Sequence, residues 1–276
     1  MISAICVYNN RSLLERYLIR SLNNQTVNYE AIFIDNTSGR FKSAAEALNY
    51  GGEKAGGDYL MFIHQDVFLC SHSWLRNAEA LLESLRNLGA AGVSGKEEGG
   101  MWTLTSVVHG KPLTLSGEIY AEKPVEVQVL DECLMIVPRS VFNTLKFDEK
   151  TCVGWHLYGV DYCLTARKLG LDIYVLPLPT YHRSTGMRKP MEIILSLEAH
   201  PKEYYQTLEK LLSKHKDVKK IFTTCGDWCP SHSLPSQKLQ NIFMGGFRLI
   251  VRSILQRARY NGLINYYRQT LGGLLE

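Results

Sequence analysis

The chain reads as an α/β protein with a mixed sheet. Three observations predict it: apolar runs suited to strands alternate with helical segments from the first residue, the second and third strands end in aspartates, and later segments are short with alternating residues. In open α/β sheets, ligands bind beyond the carboxyl ends of the strands. The strand ends are therefore where function is sought.

Ile2 to Tyr8 is a strand, and Ser12 with Glu15 forms a capping-box pattern opening a helix whose apolar face is Leu14, Tyr17, Leu18 and Leu22. A second strand, Ala31 to Ile34, ends at Asp35. A short helix around Ser43 to Leu48 and a glycine-rich link lead to the third strand, Tyr59 to Ile63. After Asp66, Leu75, Ala78, Leu81, Leu82, Leu85 and Leu88 recur at helical spacing and stop at Gly89, which suits a helix C-terminus. Trp102 to Val108 and Val125 to Leu130 alternate as strands of the mixed part of the sheet. Asp161 to Gly170 is a compact helix, for which N-cap is the plain alternative role of Asp161, and Ile173 to Leu176 is a strand running into Pro177 and Pro179. Tyr181 to Lys189 is a polar, basic loop. From Met191 the chain is mostly helical, broken at Pro201 and over Cys225 to Pro235. The expected organisation is an α/β domain over 1–190 and a helical C-terminal extension over 191–276.

The 276 residues suffice for one large domain or a smaller one with an appendage. At 45 % hydrophobic and 21 % charged, with a net charge of +4, the composition is that of a globular protein and does not argue for nucleic acid. Charge is unevenly placed, however. No Asp or Glu lies between Pro230 and Leu275, where Lys238, Arg248, Arg252, Arg257, Arg259 and Arg268 fall. Seven cysteines, four of them in or beside apolar runs, point to reduced thiols and a cytoplasmic setting. No secretory signal and no membrane span is legible.

The most informative stretch is Asp58-Tyr-Leu-Met-Phe-Ile-His-Gln-Asp66. A buried strand ends there in two metal-capable side chains, His64 and Asp66, which share a face of an extended chain. The plain alternative for Asp66 is a residue that turns the chain into the next helix. Asp35 has a similar alternative, an Asx-turn with Asn36 and Thr37. Cys225-x-x-x-Cys229 with His232 has a spacing unusual for zinc and no evident fourth ligand.

Ile5-Cys-Val-Tyr-Asn9, Ser21-Leu-Asn-Asn-Gln-Thr26, Ile34-Asp-Asn-Thr-Ser38, Asn49 with Gly51, Ala55-Gly-Gly-Asp-Tyr59, Gly154-Trp155, Asp161 to Gly170 and His182, in that order, resemble the family 2 glycosyltransferases of GT-A fold. The resemblance spans about residues 2 to 186. It implies sugar transfer from a nucleoside-diphosphate sugar to a saccharide or lipid-linked acceptor, inverting and metal-dependent. Asp35 would then hold the nucleoside, with Tyr8 and Asn9 lining the same cleft. The family's Asp-x-Asp appears here as His64-Gln-Asp66, and the resemblance adds His182 as a ligand. An imidazole ligand would favour Mn²⁺ over Mg²⁺. Arg183 and Arg188 would fold over the diphosphate, Asp131 would serve the donor, and Trp155 could stack on a sugar face.

Many relatives carry Glu-Asp-x-Asp before the helix, where this chain has Tyr158-Gly-Val-Asp161, so the acid most often cast as base is replaced by Gly159. Asp161 is the first candidate base, followed by His156 and by Glu132 beside Asp131. Apolar residues Phe243, Phe247, Ile250, Val251, Ile254 and Leu255 recur at helical intervals amid the C-terminal arginines, the pattern of a helix lying on the inner face of a membrane. Packing on its own domain or on a second subunit is the competing arrangement. The rival function is a non-catalytic nucleotide-sugar binding protein or scaffold. A nucleotidyltransferase would need a Gly-rich phosphate loop, and a dehydrogenase a Gly-x-Gly-x-x-Gly after the first strand; neither is present.

Overall fold

The computed structural model describes residues 1–183 and 200–275. In chain order the strands are β1 (Ile2–Tyr8), β2 (Glu30–Asp35), β3 (Tyr59–Ile63), β4 (Val67–Leu69), β5 (Leu88–Gly92), β6 (Ser94–Lys96), β7 (Thr103–Thr105), β8 (Val107–His109), β9 (Thr114–Leu115), β10 (Ile119–Tyr120), β11 (Val125–Glu126), β12 (Val129–Leu130), β13 (Leu134–Pro138), β14 (Asp172–Val175), β15 (Thr180–His182), β16 (Ile221–Thr223) and β17 (Gly226–Trp228). Seven of them form the central sheet in the order β11-β14-β5-β13-β3-β1-β2. It is mixed as expected: β1 runs parallel to β2 and β3, whereas β13 is antiparallel to both β3 and β5.

Side-chain alternation along β1 and β3 divides two cores. Ile5, Leu60 and Phe62 face the helices Ala44–Gly52, Tyr158–Lys168 and Lys202–Lys214. Ala4, Cys6, Met61 and Ile63 face the other way, toward Leu14, Leu18 and Leu22 and the helix Trp74–Ser84. Each such buried leucine contributes about 1.5–3 kcal/mol over an exposed one. Two four-stranded sheets flank the central one, β10-β7-β6-β12 and β4-β15-β8-β9. Onto the second packs a third core formed by Tyr260, Ile264, Tyr267 and Leu271 of the C-terminal helices.

Several local expectations change. The first helix is capped by Asn10, whose Oδ1 accepts from Leu13 N at 3.1 Å, and not by Ser12; Glu15 pairs instead with Arg11. The helix after Asp66 ends at Ser84, and Leu88–Gly92 is a buried strand. Leu88 merely continued the helical spacing by coincidence. Gly89 is small because a Cβ there would approach Leu171 Cβ to 2.8 Å. Trp102 to Val108 and Val125 to Leu130 each divide into two strands belonging to different sheets. β16, ahead of the expected Cys225 to Pro235 loop, and β17, within it, form a hairpin where helix and loop were expected. The expected boundary at 190/191 falls outside the described residues, and beyond it Tyr204, Leu208, Leu211 and Trp228 join the same core as the central sheet.

Asp161 is not the N-cap. The helix starts at Tyr158 after Leu157, which adopts a left-handed backbone with φ of 66°, so Asp161 falls in the first turn. It is 1 % exposed. Its two oxygens take Lys214 Nζ at 2.8 Å and His215 Nε2 at 2.8 Å, tying this helix to the end of Lys202–Lys214. A buried ionic link of this kind costs several kcal/mol when one partner is deleted. Asp161→Ala is expected to lower unfolding stability by about 3 kcal/mol, read from urea denaturation, because His215 would lose its partner in a sealed site.

Candidate functional site

The site forms where β13 enters beside the end of β3. Pairing of Leu134 with Ile63 brings the residues before β13 against those after β3, and His64 N donates to Cys133 O at 3.0 Å. The chain then folds back through β4, whose antiparallel pairing with β15 sets His182 opposite Val67. Arg183 N closes this corner by donating to Asp66 O at 3.0 Å. His64, Asp66 and His182 thereby offer one ligand atom each within 4.8 Å of one another, and they are the group of this kind among the described residues. All three are half-buried.

His182 Nε2 lies 3.3 Å from Asp66 Oδ1. Burial alone would raise the Asp66 carboxyl, but the His182 hydrogen bond and the charges of both imidazoles outweigh it and hold it at about 2. Burial opposes charge on His182 as well, yet Asp66 raises it above the ordinary histidine value. His64 goes the other way, to about 4, through burial and the neighbouring His182. Its Nε2 meets Tyr158 Oη at 3.2 Å, and that hydroxyl donates to Glu132 O at 3.2 Å. Both bonds are made when Nε2 carries the ring proton, which leaves the lone pair on Nδ1.

A carboxylate with two imidazoles is a mixed oxygen and nitrogen donor set. Held within reach of one another and half-buried, these donors can meet a single cation. The residues present therefore fit a divalent ion.

Gln65, between the two metal-capable residues, works at the adjoining loop. Its Oε1 accepts from Asn9 N and Asn10 N at 3.1 and 2.9 Å, and its Nε2 donates to Asn9 Oδ1 at 2.7 Å. This fixes the end of β1 to the end of β3. Across the β1–β2 pairing, Tyr8 Oη donates to Asp35 Oδ2 at 3.0 Å. Asp35 also takes Thr37 N and Oγ1 at 2.8 and 2.7 Å, so the Asx-turn is formed, and these donors keep the exposed carboxylate below its usual range.

Asp131 is half-buried, with Oδ1 on Cys133 N and Oδ2 on Thr224 Oγ1 of the β16–β17 turn. Glu132 Oε1 accepts from Gly159 N at 2.9 Å. His156 packs against Tyr204, and burial lowers its pKa. Trp155 is 37 % exposed in the turn before the helix. Arg188 lies outside the described residues. The structure thus brings Glu132, Asp131 and Tyr158 to the His64 side of the cluster and sets Asp161 in its own buried network. Tyr158, Gln65 and His109 were not singled out from sequence. His109 pairs with His182 across β8 and β15, and burial with nearby Arg252 lowers it to about 4. Only strand pairing reveals it. Cys225 and Cys229 form no metal group among the described residues.

A model described as a glycosyltransferase like family matches residues 3–215. The chain belongs to this family. The fold is GT-A, as similarity to solved structures shows: the mannosyltransferase PcManGT from Pyrobaculum calidifontis in complex with GDP-Man and Mn²⁺ (TM-score 0.51, 12 % identity, covering 93 % of this chain and 74 % of that one), and S. aureus TarS 1–349 (TM-score 0.51, 14 % identity, 99 % and 79 %). A curated relative from Fuscovulum blasticum, "ATP synthase subunits region ORF 6", is 30 % identical over 135 residues, 46 % of this chain and 51 % of that protein. The alignment spans about half the length of that relative.

In metal-free protein the Asp66–His182 pair contributes stability with a defined pH window. A histidine raised by folding adds stability that is complete below its ordinary value of 6.5 and is lost as pH rises through the folded value. A carboxylate held at about 2 adds stability above its ordinary 3.8, lost as pH falls through the folded value. Urea unfolding in chelator should therefore show a deficit for His182→Gln on the order of 1 kcal/mol at pH 5.5 that shrinks by pH 9.5.

Proposed function

We propose that this protein is an inverting glycosyltransferase that takes a nucleoside-diphosphate sugar as donor and a saccharide or lipid-linked acceptor. The observation that carries the reading is the convergence of His64, Asp66 and His182 at the strand ends of a GT-A fold. Asp66 and His182, with His64, would hold a divalent ion against the donor diphosphate, manganese favoured by the imidazoles. When bound, such an ion supplies charge stabilisation for the departing nucleoside diphosphate. Around it, Asp35 offers acceptor lone pairs to the base or ribose of the nucleoside, and Tyr8 orients that carboxylate. Gln65 keeps the Asn9 backbone in place at the cleft wall. In this reading Asp131, its carboxylate oriented by Thr224, would serve the donor, with Arg183 toward the diphosphate and Trp155 toward a sugar face.

Titration calorimetry with UDP, GDP and dTDP tests this directly. One nucleotide is expected to bind with micromolar affinity in the presence of Mn²⁺, at least tenfold more weakly in chelator, and at least tenfold more weakly to Asp66→Ala. Equal binding with and without metal and Asp66 would remove the metal-assisted reading, and absence of binding would favour the scaffold.

The C-terminal helix supports the choice of a lipid-linked acceptor. Along Leu234–Arg259, the side chains Leu239, Phe243, Phe247, Ile250 and Ile254 form a stripe at spacings of three and four residues, with Phe243 72 % and Ile250 63 % exposed. No described helix is long and apolar enough to cross a membrane. The expected charge is partly turned inward: Arg248 reaches Asp227 at 3.7 Å and Arg252 reaches Glu118 at 3.0 Å. Arg259 and Arg268 remain exposed, and no acid lies between Pro230 and Leu275. Two such helices would oppose like charges, whereas an anionic lipid surface complements them. The stripe fits peripheral attachment to an anionic membrane face, where a lipid-linked acceptor would be presented. Sedimentation with vesicles of phosphatidylglycerol and phosphatidylcholine should retain the protein, and Phe243→Glu with Ile250→Glu should weaken this at least tenfold. Equal loss to neutral vesicles, or a dimer dissolved by the same substitutions, would assign the stripe elsewhere.

A further inference from the structure

Gly159 sits in the first turn of Tyr158–Lys168, at the position where the resemblance expects the acid most often cast as base. The position is not empty space. A Cβ built on Gly159 would lie 2.6 Å from Met135 Sδ, 3.0 Å from Glu132 Cγ and 3.7 Å from Glu132 Oε1. Glu132, arriving from the segment just before β13, fills the volume that a side chain at 159 would occupy. Its carboxylate rests on the helix terminus through Gly159 N, and its carbonyl is one tyrosine hydroxyl away from His64. A side chain at 159 would press first on Met135 and then on Glu132, whose carboxylate therefore lies beside the place an acid at 159 would take.

We propose that Glu132 is the catalytic base of the transfer, supplying from the sheet side the carboxylate that the helix lacks at Gly159. This rests on the glycosyltransferase reading given above. The other candidates fit less well: Asp161 is sealed and doubly paired, and burial disfavours a proton on His156. In the step, a Glu132 carboxylate oxygen takes the acceptor O–H proton as the acceptor oxygen bonds to the anomeric carbon. The bond from that carbon to the diphosphate oxygen breaks, and its electron pair leaves with the nucleoside diphosphate. Burial, with Asp131 nearby, raises Glu132 to about 8, against the opposing Gly159 N–H, so the carboxylate that takes the proton forms as pH rises toward 8 and turnover rises with it.

The competing role is structural, a carboxylate capping the first turn of a helix from outside. Glu132→Gln separates the two, since its amide oxygen still accepts from Gly159 N but cannot take the proton. The readout is release of nucleoside diphosphate from UDP-, GDP- and dTDP-sugars with water as acceptor, alongside nucleotide affinity and thermal midpoint. For Glu132→Gln, turnover should fall roughly 10²–10⁴-fold, with nucleotide affinity within threefold. A carboxyl raised by folding stabilises only below its ordinary 4.5 and loses this as pH rises through about 8. The glutamine variant should therefore melt at the same temperature or roughly 2–4 °C higher at pH 7, where a pure cap would lose stability. Turnover retained within threefold in Glu132→Gln would overturn this assignment alone. Absence of turnover in the parent protein would overturn the transferase reading and this assignment with it.

Discussion

The antiparallel insertion of β13 between β3 and β5 is the constraint on which the site depends. A strand entering from the opposite direction begins where its neighbour ends, so the turn before β13 must lie against the loop after β3. Asp131, Glu132 and Cys133 are thereby delivered to His64, Gln65 and Asp66 although nearly seventy positions separate them in the chain. The hydrogen bond from His64 N to Cys133 O fixes that meeting at the backbone, before any side chain contributes. The second sheet then adds β15, and with it His182, by pairing with β4 immediately after Asp66. A shift of one residue in either pairing would turn the metal-capable side chains to the opposite face.

Electrostatics at this junction follow from placing unlike and like groups in one half-buried space. Asp66 gains from two imidazoles, while the imidazoles compete: His182, in contact with the carboxylate, is favoured as a cation, and His64, in contact with a phenol, is driven neutral. A neutral imidazole and an ionised carboxylate are the forms a metal ion needs. Glu132 goes the opposite way from Asp66, raised to about 8 by burial first and by the neighbouring Asp131 charge after it, so the site holds acids at opposite ends of the carboxyl range. Environments that separate like groups in this way mark acid and base roles.

The fold was legible where a local pattern has a local cause. Strands β1 and β3 follow from apolar runs buried on both faces, and Ser43 caps its helix at Glu46 N as its residue type suggests. The resemblance singles out Asp66 and His182 as candidate ligands, and their approach is what the pairing of β4 with β15 produces. What stayed hidden depended on partners distant in sequence. Asp161 reads as an N-cap because nothing nearby announces Lys214 and His215. Leu88 reads as helix because helical spacing and a buried strand of small residues cannot be told apart over five positions. Arg248 and Arg252 read as surface charge because Asp227 and Glu118 lie far from them in the chain.

Those two arginines also explain how the C-terminal helix stays attached while keeping an apolar stripe outward. A helix with an apolar face ordinarily buries it against its own domain. Here the anchoring side is polar. Arg248 joins the Asp227 cluster, which includes the fully buried Lys96, and Arg252 meets the buried Glu118, so ionic contacts hold that face down. Tyr267 of the following helix reinforces the attachment, donating to Ser106 O at 2.7 Å and accepting from Thr180 N, the first residue of the strand that carries His182. The helix bearing the stripe and the strand bearing a metal-capable histidine are thus parts of one packed unit. Inverting the usual polarity of a surface helix costs hydrophobic burial, and the ionic contacts of Arg248 and Arg252 are what offset it on the anchored face.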